Sequence, residues 1–335
     1  MPDGSLLLLG LSGPELMPEE AALFRKLQPT GYVLFSRNIV TPQQTRKLTD
    51  ELRGLTAETP IIAIDQEGIC GIAPSAPSAV ALAAAKDLGK IADAGAFTGD
   101  LLRLLGINMN LAPLLDLDHF PEAQNALHER CWGRDPQRVI DYAGQWNRWL
   151  RKRAIAGCAK HFPAGGRAQC EPPSSSATLE ELLREDVIPY TALMPELDAV
   201  MTGHVVFPNI DPDFPASLSP RVIRRFLRDQ LGFDHHLVLT DDLDMGAITS
   251  RYGRGEDVKL AIQAGNDLAM ICHRIDTAEH AARAIAELPH HIKEEARDRV
   301  DRFRRKKLHG PLVWSEKKWT DTCTALAALS ASSAV

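Results

Sequence analysis

The chain has no closely spaced cysteine pair. Its six cysteines, Cys70, Cys131, Cys158, Cys170, Cys272 and Cys323, stand far apart and form no CxxC motif. That scatter argues against a zinc knuckle and against a disulfide framework, and leaves reduced thiols in a cytoplasmic protein as the expectation. Long apolar runs are missing too. The run at 6–11 is too short to cross a bilayer and follows Asp3 rather than a basic segment, so it predicts neither a membrane span nor a signal peptide. Nor is positive charge in excess: a formal net charge of -6 offers no electrostatic footprint for nucleic acid or an acidic membrane surface. No two histidines have the helical spacing of metal ligands, so neither a metal nor another cofactor is expected. These absences leave a small neutral or polar ligand.

What the chain does have is short apolar runs, each followed by a segment of helical character. The runs lie at 6–11, 31–36, 61–65, 108–116, 157–161, 199–205, 237–241 and 268–272. Between them, stretches such as 42–55, 91–105, 136–153, 179–193, 220–231 and 276–288 place apolar residues at helical spacing with charges on the other side. Alternation repeated through eight runs predicts an α/β protein, a single (β/α)8 TIM barrel. The 335 residues suit one such barrel of about 250 residues plus additions, so one domain is expected over 1–335, with 310–335 as a C-terminal extension. Helix starts agree. Thr41 can cap a helix with Pro42 at its first position, and Thr178 with Glu181 has the spacing of a capping box. The Ala/Ser-rich end at 325–335 is expected to fray.

In such a barrel the polar residues at the carboxyl ends of the strands converge on one mouth. Here those ends carry Arg37 and Asn38, then Asp65, Gln66 and Glu67, then Asp116, Asp118 and His119. Lys160 and His161, His204, Asp241 and Asp242, and Cys272 with His273 complete the set. Desolvating so many ionisable groups costs free energy unless they are paired or used, so chemistry is expected at this mouth. The stretch 237–245, reading LVLTDDLDM, is where a catalytic carboxylate is expected. A one-residue change of strand phase exchanges the faces of Asp241 and Asp242, so the pattern leaves both open. Lys160 and His161 can act together only if their strand is already breaking into its loop, because strand neighbours point to opposite faces. A lysine there suits hydroxyl binding, with Schiff-base chemistry as the alternative. On the loop after the fourth run, Arg130 and Trp132 supply a fork-shaped donor and a stacking surface, elements of a sugar site. The other reading of Arg130 is an ion pair that only pins the backbone.

Seven stretches together carry a resemblance: 31–38 (GYVLFSRN), 64–68 (IDQEG), 110–116 (NLAPLLD), 130–136 (RCWGRDP), 160–163 (KHFP), 201–204 (MTGH) and 240–245 (TDDLDM). They resemble the bacterial β-N-acetylglucosaminidases of glycoside hydrolase family 3, single-barrel cytoplasmic enzymes of cell-wall recycling. The resemblance implies a small carbohydrate substrate and retaining hydrolysis of a terminal β-linked amino sugar, with Asp241 as the nucleophile. It further implies that Asp65, Arg130, Lys160 and His161 hold the sugar and that His204 lines the pocket. Two departures stand against it. Family members continue after Lys-His-Phe-Pro with Gly-His-Gly and then Asp-Ser-His, whose Asp–His dyad is the general acid/base. Here the chain reads AGGRAQCEPP at 164–173, with no histidine between His161 and His204. The Gly-Gly-Arg-Val expected after Asp-Gln-Glu is replaced by Gly68-Ile69-Cys70-Gly71, which lacks the Arg. Glu171 falls where the dyad's Asp would be and is the expected proton donor, ahead of His128 and Glu129. The alternative that these losses suggest is a catalytically degenerate member that binds a cell-wall sugar or a partner as a sensor.

Overall fold

The computed structural model describes residues 3–67, 76–122, 127, 129–168 and 173–333, apart from the side chains of 330–333. In chain order its strands are β1 (Leu7–Leu9), β2 (Gly31–Leu34), β3 (Ile61–Ile64), β4 (Met109–Asn110), β5 (Ala156–Phe162), β6 (Ala199–Thr202), β7 (Val206–Phe207), β8 (Asp211–Pro215), β9 (Leu237–Asp242) and β10 (Leu268–Ile271). Eight of them close a parallel barrel in the order β1-β10-β9-β6-β5-β4-β3-β2, while β7 and β8 pair with each other as an antiparallel ribbon. The expected (β/α)8 barrel is therefore present.

Strand alternation explains why these runs read as continuously apolar. One set of side chains, including Leu8, Val33, Ala63, Met109, Cys158, Met201, Leu239 and Met270, fills the barrel interior. The neighbouring set, including Leu7, Leu9, Tyr32, Leu34, Ile62 and Val200, packs outward among the helices. Both faces are dry, so neither tolerates polar residues until the strand ends.

The fourth run forms less strand than its apolar length suggests. Only Met109–Asn110 is regular, because Pro113 has no N–H to give to a ladder. Beyond it the chain follows β5 through single bonds such as Leu115 N to Lys160 O at 2.8 Å. The helix expected at 179–193 is two helices, Leu179–Arg184 and Ile188–Leu193, with Pro189 in the first turn of the second, where its missing N–H does no harm. Both expected caps are formed: Thr41 Oγ1 accepts from Gln44 N at 3.1 Å, and Thr178 and Glu181 exchange the two bonds of a capping box. The helix His290–Lys307 places Val300 and Phe303 against the barrel interior, so it plugs the end opposite the mouth. Of the Ala/Ser-rich end, expected to fray, residues 325–333 belong to a helix, Glu316–Ser333, that packs along the helix Leu88–Leu104 and buries Leu326 completely. Alanine is the strongest helix former, and this packed face anchors it.

Candidate active site

Two cations and two carboxylates meet where β3, β4 and β5 end. Lys160, fully buried, donates from Nζ to Asp65 Oδ1 at 2.7 Å and forms an ion pair with Glu67 Oε1. Arg130 grips the same Glu67 in a two-pronged pair, with Nε to Oε2 at 2.9 Å and a terminal guanidinium nitrogen to Oε1 at 3.0 Å. Glu67 is thus held between cations. Burial alone would raise its carboxyl, but Lys160 and Arg130 outweigh burial and keep it well below the usual carboxylate range. For Lys160, burial opposes the charge, yet Asp65 and Glu67 hold the ammonium above its ordinary value. A Schiff base needs a free amine, so the lysine's surroundings contradict the aldolase alternative. Asp65 behaves differently. Burial and the Glu67 charge push its carboxyl up against the pull of Lys160, while 41% of its side chain stays open to the mouth, which limits that push.

Lys160 and His161 both reach the mouth although β5, expected to break before them, runs on to Phe162. The register of β5 against β6 shifts between Ala159 and Phe162. His161 is then fixed by Asp116: its backbone N–H donates to Asp116 Oδ2 at 3.0 Å, and its ring Nδ1 lies 2.7 Å from the same oxygen. Asp116 also accepts from Gly166 N at 3.2 Å, which ties the loop after β5 to the base of the site. With Nδ1 so occupied, His161 turns Nε2 toward Asp241, 3.9 Å from its Oδ2.

Two hydrogen-bond patterns separate the adjacent aspartates of β9. Asp242 Oδ1 accepts from Asp244 N and Cys272 N, both at 3.0 Å, and Oδ2 lies 2.8 Å from His273 Nδ1. Its carboxylate is committed to joining β9 to β10. Asp241 instead points inward beside His161, with 21% of its side chain exposed, and takes the Asp242 N–H on Oδ1 at 2.7 Å. Burial would raise the Asp241 carboxyl, but His161, His204, the Asp242 N–H and Lys160 together hold it below its ordinary value.

His204 is buried behind this pair. Its Nδ1 lies 2.7 Å from Ser217 Oγ and its Nε2 donates to Asp242 O at 2.9 Å, so both ring nitrogens are engaged by protein. It positions the Asp241–Asp242 turn and has no polar atom left for a sugar. Glu171 and His128 lie outside the described residues, as does the 68–71 segment. Glu129 is described, exposed and in the left-handed region at φ 64°. Two triads lie close enough to share an ion, His119 with Glu185 and Asp186, and Asp242 with Asp244 and His273. Arg167 already binds Asp186 at 2.6 Å and Glu185 at 2.7 Å, and Arg254 and backbone amides already occupy Asp244 and Asp242. Their oxygens are therefore committed.

The mouth thus unites Asp65, Arg130, Lys160, His161 and Asp241, with His204 in support. Glu67 and Asp116, which the sequence places at the mouth without a role, are the residues that fix it. Both stand at strand ends inside the stretches 64–68 and 110–116, and only their pairing across strands marks them.

The profile of the Glycosyl hydrolase family 3 N terminal domain matches residues 8–305. The chain is similar, at 30% identity over 332 residues, to a beta-hexosaminidase of Pseudomonas aeruginosa (strain LESB58), covering 96% of this chain and 97% of that protein. It superposes on the structure of a glycoside hydrolase family 3 beta-N-acetylglucosaminidase from Paenibacillus sp. str. FPU-7 with a TM-score of 0.87 at 30% identity, covering 98% of this chain and 68% of that one. A fungal multi-domain GH3 beta-N-acetylglucosaminidase that carries a glucosamine N-acetyltransferase region gives a TM-score of 0.91 at 28% identity; the match covers 98% of this chain and 42% of the fungal one.

Proposed function

The chain belongs to glycosyl hydrolase family 3, and from that premise we propose that it is a retaining β-N-acetylhexosaminidase that removes a terminal β-linked amino sugar through a glycosyl-Asp241 intermediate. The observation that carries this reading is the contrast on β9, where Asp242 is tied into the scaffold while Asp241 faces the mouth with its carboxyl held ionised. In the first step an Asp241 oxygen bonds to the anomeric carbon as the glycosidic C–O bond breaks and the aglycone oxygen takes a proton. In the second, water adds to the anomeric carbon, loses a proton and frees Asp241. Asp65, Arg130, Lys160 and His161 hold the sugar: charged donors and an open carboxylate suit its hydroxyls, and the fixed Glu67 and Asp116 spare these side chains from reorganising.

Glu171 is the proposed proton donor, on the strength of its place in the sequence, where the Asp of the family dyad would stand. Acid assistance is worth about 10²–10⁴-fold for a poor leaving group, so its residue identity governs which aglycones are cleaved. A single domain and a cytoplasmic location complete the proposal, the latter supported by the free Cys131, Cys158, Cys272 and Cys323. No helix among the described residues is long and apolar enough to cross a membrane.

The test is hydrolysis of 2,4-dinitrophenyl N-acetyl-β-glucosaminide followed by NMR of the first-formed sugar. Retention predicts the β-anomer, and Asp241→Asn should lose ~10³-fold or more of the rate. Initial formation of the α-anomer, or an undiminished Asp241→Asn variant, would refute the mechanism. Sugar binding with no turnover at all would favour the sensor.

A further inference from the structure

The end of the barrel opposite the mouth gathers charge of one sign. A cleft of about 350 Å³ opens there beneath the starts of β5 and β6, between the last turns of the helices Pro136–Lys152 and His290–Lys307. Arg148, Arg151, Lys152, Lys306, Lys307 and His309 line it, and Asp198 is the only acid among its described lining residues. Buried Asp198 ties the two walls together. Its Oδ2 accepts from Arg151 Nε at 2.9 Å, and its Oδ1 lies 2.6 Å from Lys307 Nζ, so one cation from each helix is fixed in place. Arg148 is spent on neighbours: it grips Glu196 through Nε at 2.9 Å and Nη2 at 3.0 Å and gives Nη1 to Gln145 at 2.9 Å.

Joining a strand end to its helices does not take so many cations. At the start of β10 the corresponding carboxylate, Asp267, is held by two arginines, Arg228 at 2.9 Å and Arg299 at 3.1 Å. Asp198 makes the same two contacts, and Lys152, Lys306 and His309 are then added, all exposed and none with a carboxylate partner among the described residues. Lys152 is steadied instead by the Trp149 ring, whose centroid lies 3.9 Å from its Nζ. One cation at each helix end answers the helix dipole; crowding more like charge around a concave surface costs free energy until an anion enters. The excess is the more pointed on a chain whose formal net charge is -6. We infer that this cleft is a binding site for a small phosphorylated anion. Phosphate takes charge-assisted bonds from lysine and arginine together, and Arg151, which meets Asp198 through Nε alone, keeps its terminal nitrogens for a ligand. The Asp198 contacts hold Arg151 and Lys307 in advance, which lowers the ordering cost of binding. The volume is at the lower end of small-ligand pockets, and a cleft suits such a ligand better than it suits a membrane surface. The assignment is independent of the reaction at the mouth.

The experiment is calorimetric titration of the full chain with inorganic pyrophosphate and with glucose 6-phosphate at about 0.15 M salt, where loose surface charge is largely screened. One anion should bind per chain. Replacing Lys152→Gln and Lys306→Gln together removes two exposed, unpaired charges without touching Asp198 or its partners, and the affinity should fall about 10-fold or more. Lys259→Gln, outside the cleft, should leave the affinity unchanged. Tighter binding of pyrophosphate assigns the cleft to a free diphosphate, and tighter binding of the sugar phosphate assigns it to a phosphate ester; either supports the site. No binding of either anion, an affinity unmoved by the double substitution, or an equal loss in Lys259→Gln would each overturn it. If neither anion binds but the double substitution releases the protein from phosphatidylglycerol vesicles, the patch serves a membrane and the assignment fails.

Discussion

Asp241 and Asp242 differ in surroundings far more than in chemistry, and the same holds for Asp65 and Glu67. In each pair one carboxylate is committed to protein donors and the other faces the mouth. This division was not legible in the sequence, because the partners that decide it lie on other strands: Lys160 is 95 residues from Asp65, and Arg130 is 63 from Glu67. The strand ends themselves were legible, since carboxylates and cations do not otherwise follow runs buried on both faces. Glu67 supplies the residue-scale test. Replacing it by Gln removes the charge that Lys160 and Arg130 share in a nearly dry place and leaves Lys160 with Asp65 as its carboxylate, so Glu67→Gln should cost about 3–5 kcal/mol at neutral pH. Its carboxyl is depressed in the folded state. The advantage of the native residue is therefore fully present above the unfolded carboxylate pKa of about 4.3 and is lost as pH falls below it. Urea unfolding of both proteins at pH 7 and pH 3.5 should show the gap narrowing in acid; a gap independent of pH would contradict an ionised Glu67.

Elements are most legible in the sequence where one local rule governs them. The strands show two dry faces, and the helices beginning at Pro42 and Leu179 show their caps. Pattern and structure part where backbone chemistry or tertiary packing overrides the pattern. Pro113 cut short the strand expected at 108–116, and Pro189 opened a second helix inside the one expected at 179–193. The helix Glu316–Ser333 is the reverse case, since its Ala/Ser composition suggested a loose end and a packed face made it part of the fold. Leu326 carries that face, so Leu326→Ala should destabilise the protein by about 2–4 kcal/mol in denaturant unfolding. A change below about 0.5 kcal/mol, as for a surface position, would mean that the end frays.

At the scale of the whole molecule, an acidic chain gathers Lys160, Arg130 and His161 around its mouth, and barrel closure is what brings them there. The closed barrel places β5 two strands from β9, so His161 and Asp241 meet although a long stretch of chain separates them. The central claim is that this meeting serves a nucleophile, and the most direct measurement looks for its covalent product. Dinitrophenolate departs without protonation, so 2,4-dinitrophenyl N-acetyl-β-glucosaminide should glycosylate Asp241 faster than water releases it in a protein whose acid/base loop is altered. Intact-mass analysis after brief incubation should show one added N-acetylhexosamine, and peptide mapping should place it on Asp241. Sugar binding with neither adduct nor dinitrophenol release, or an adduct mapped to another residue, would contradict the account.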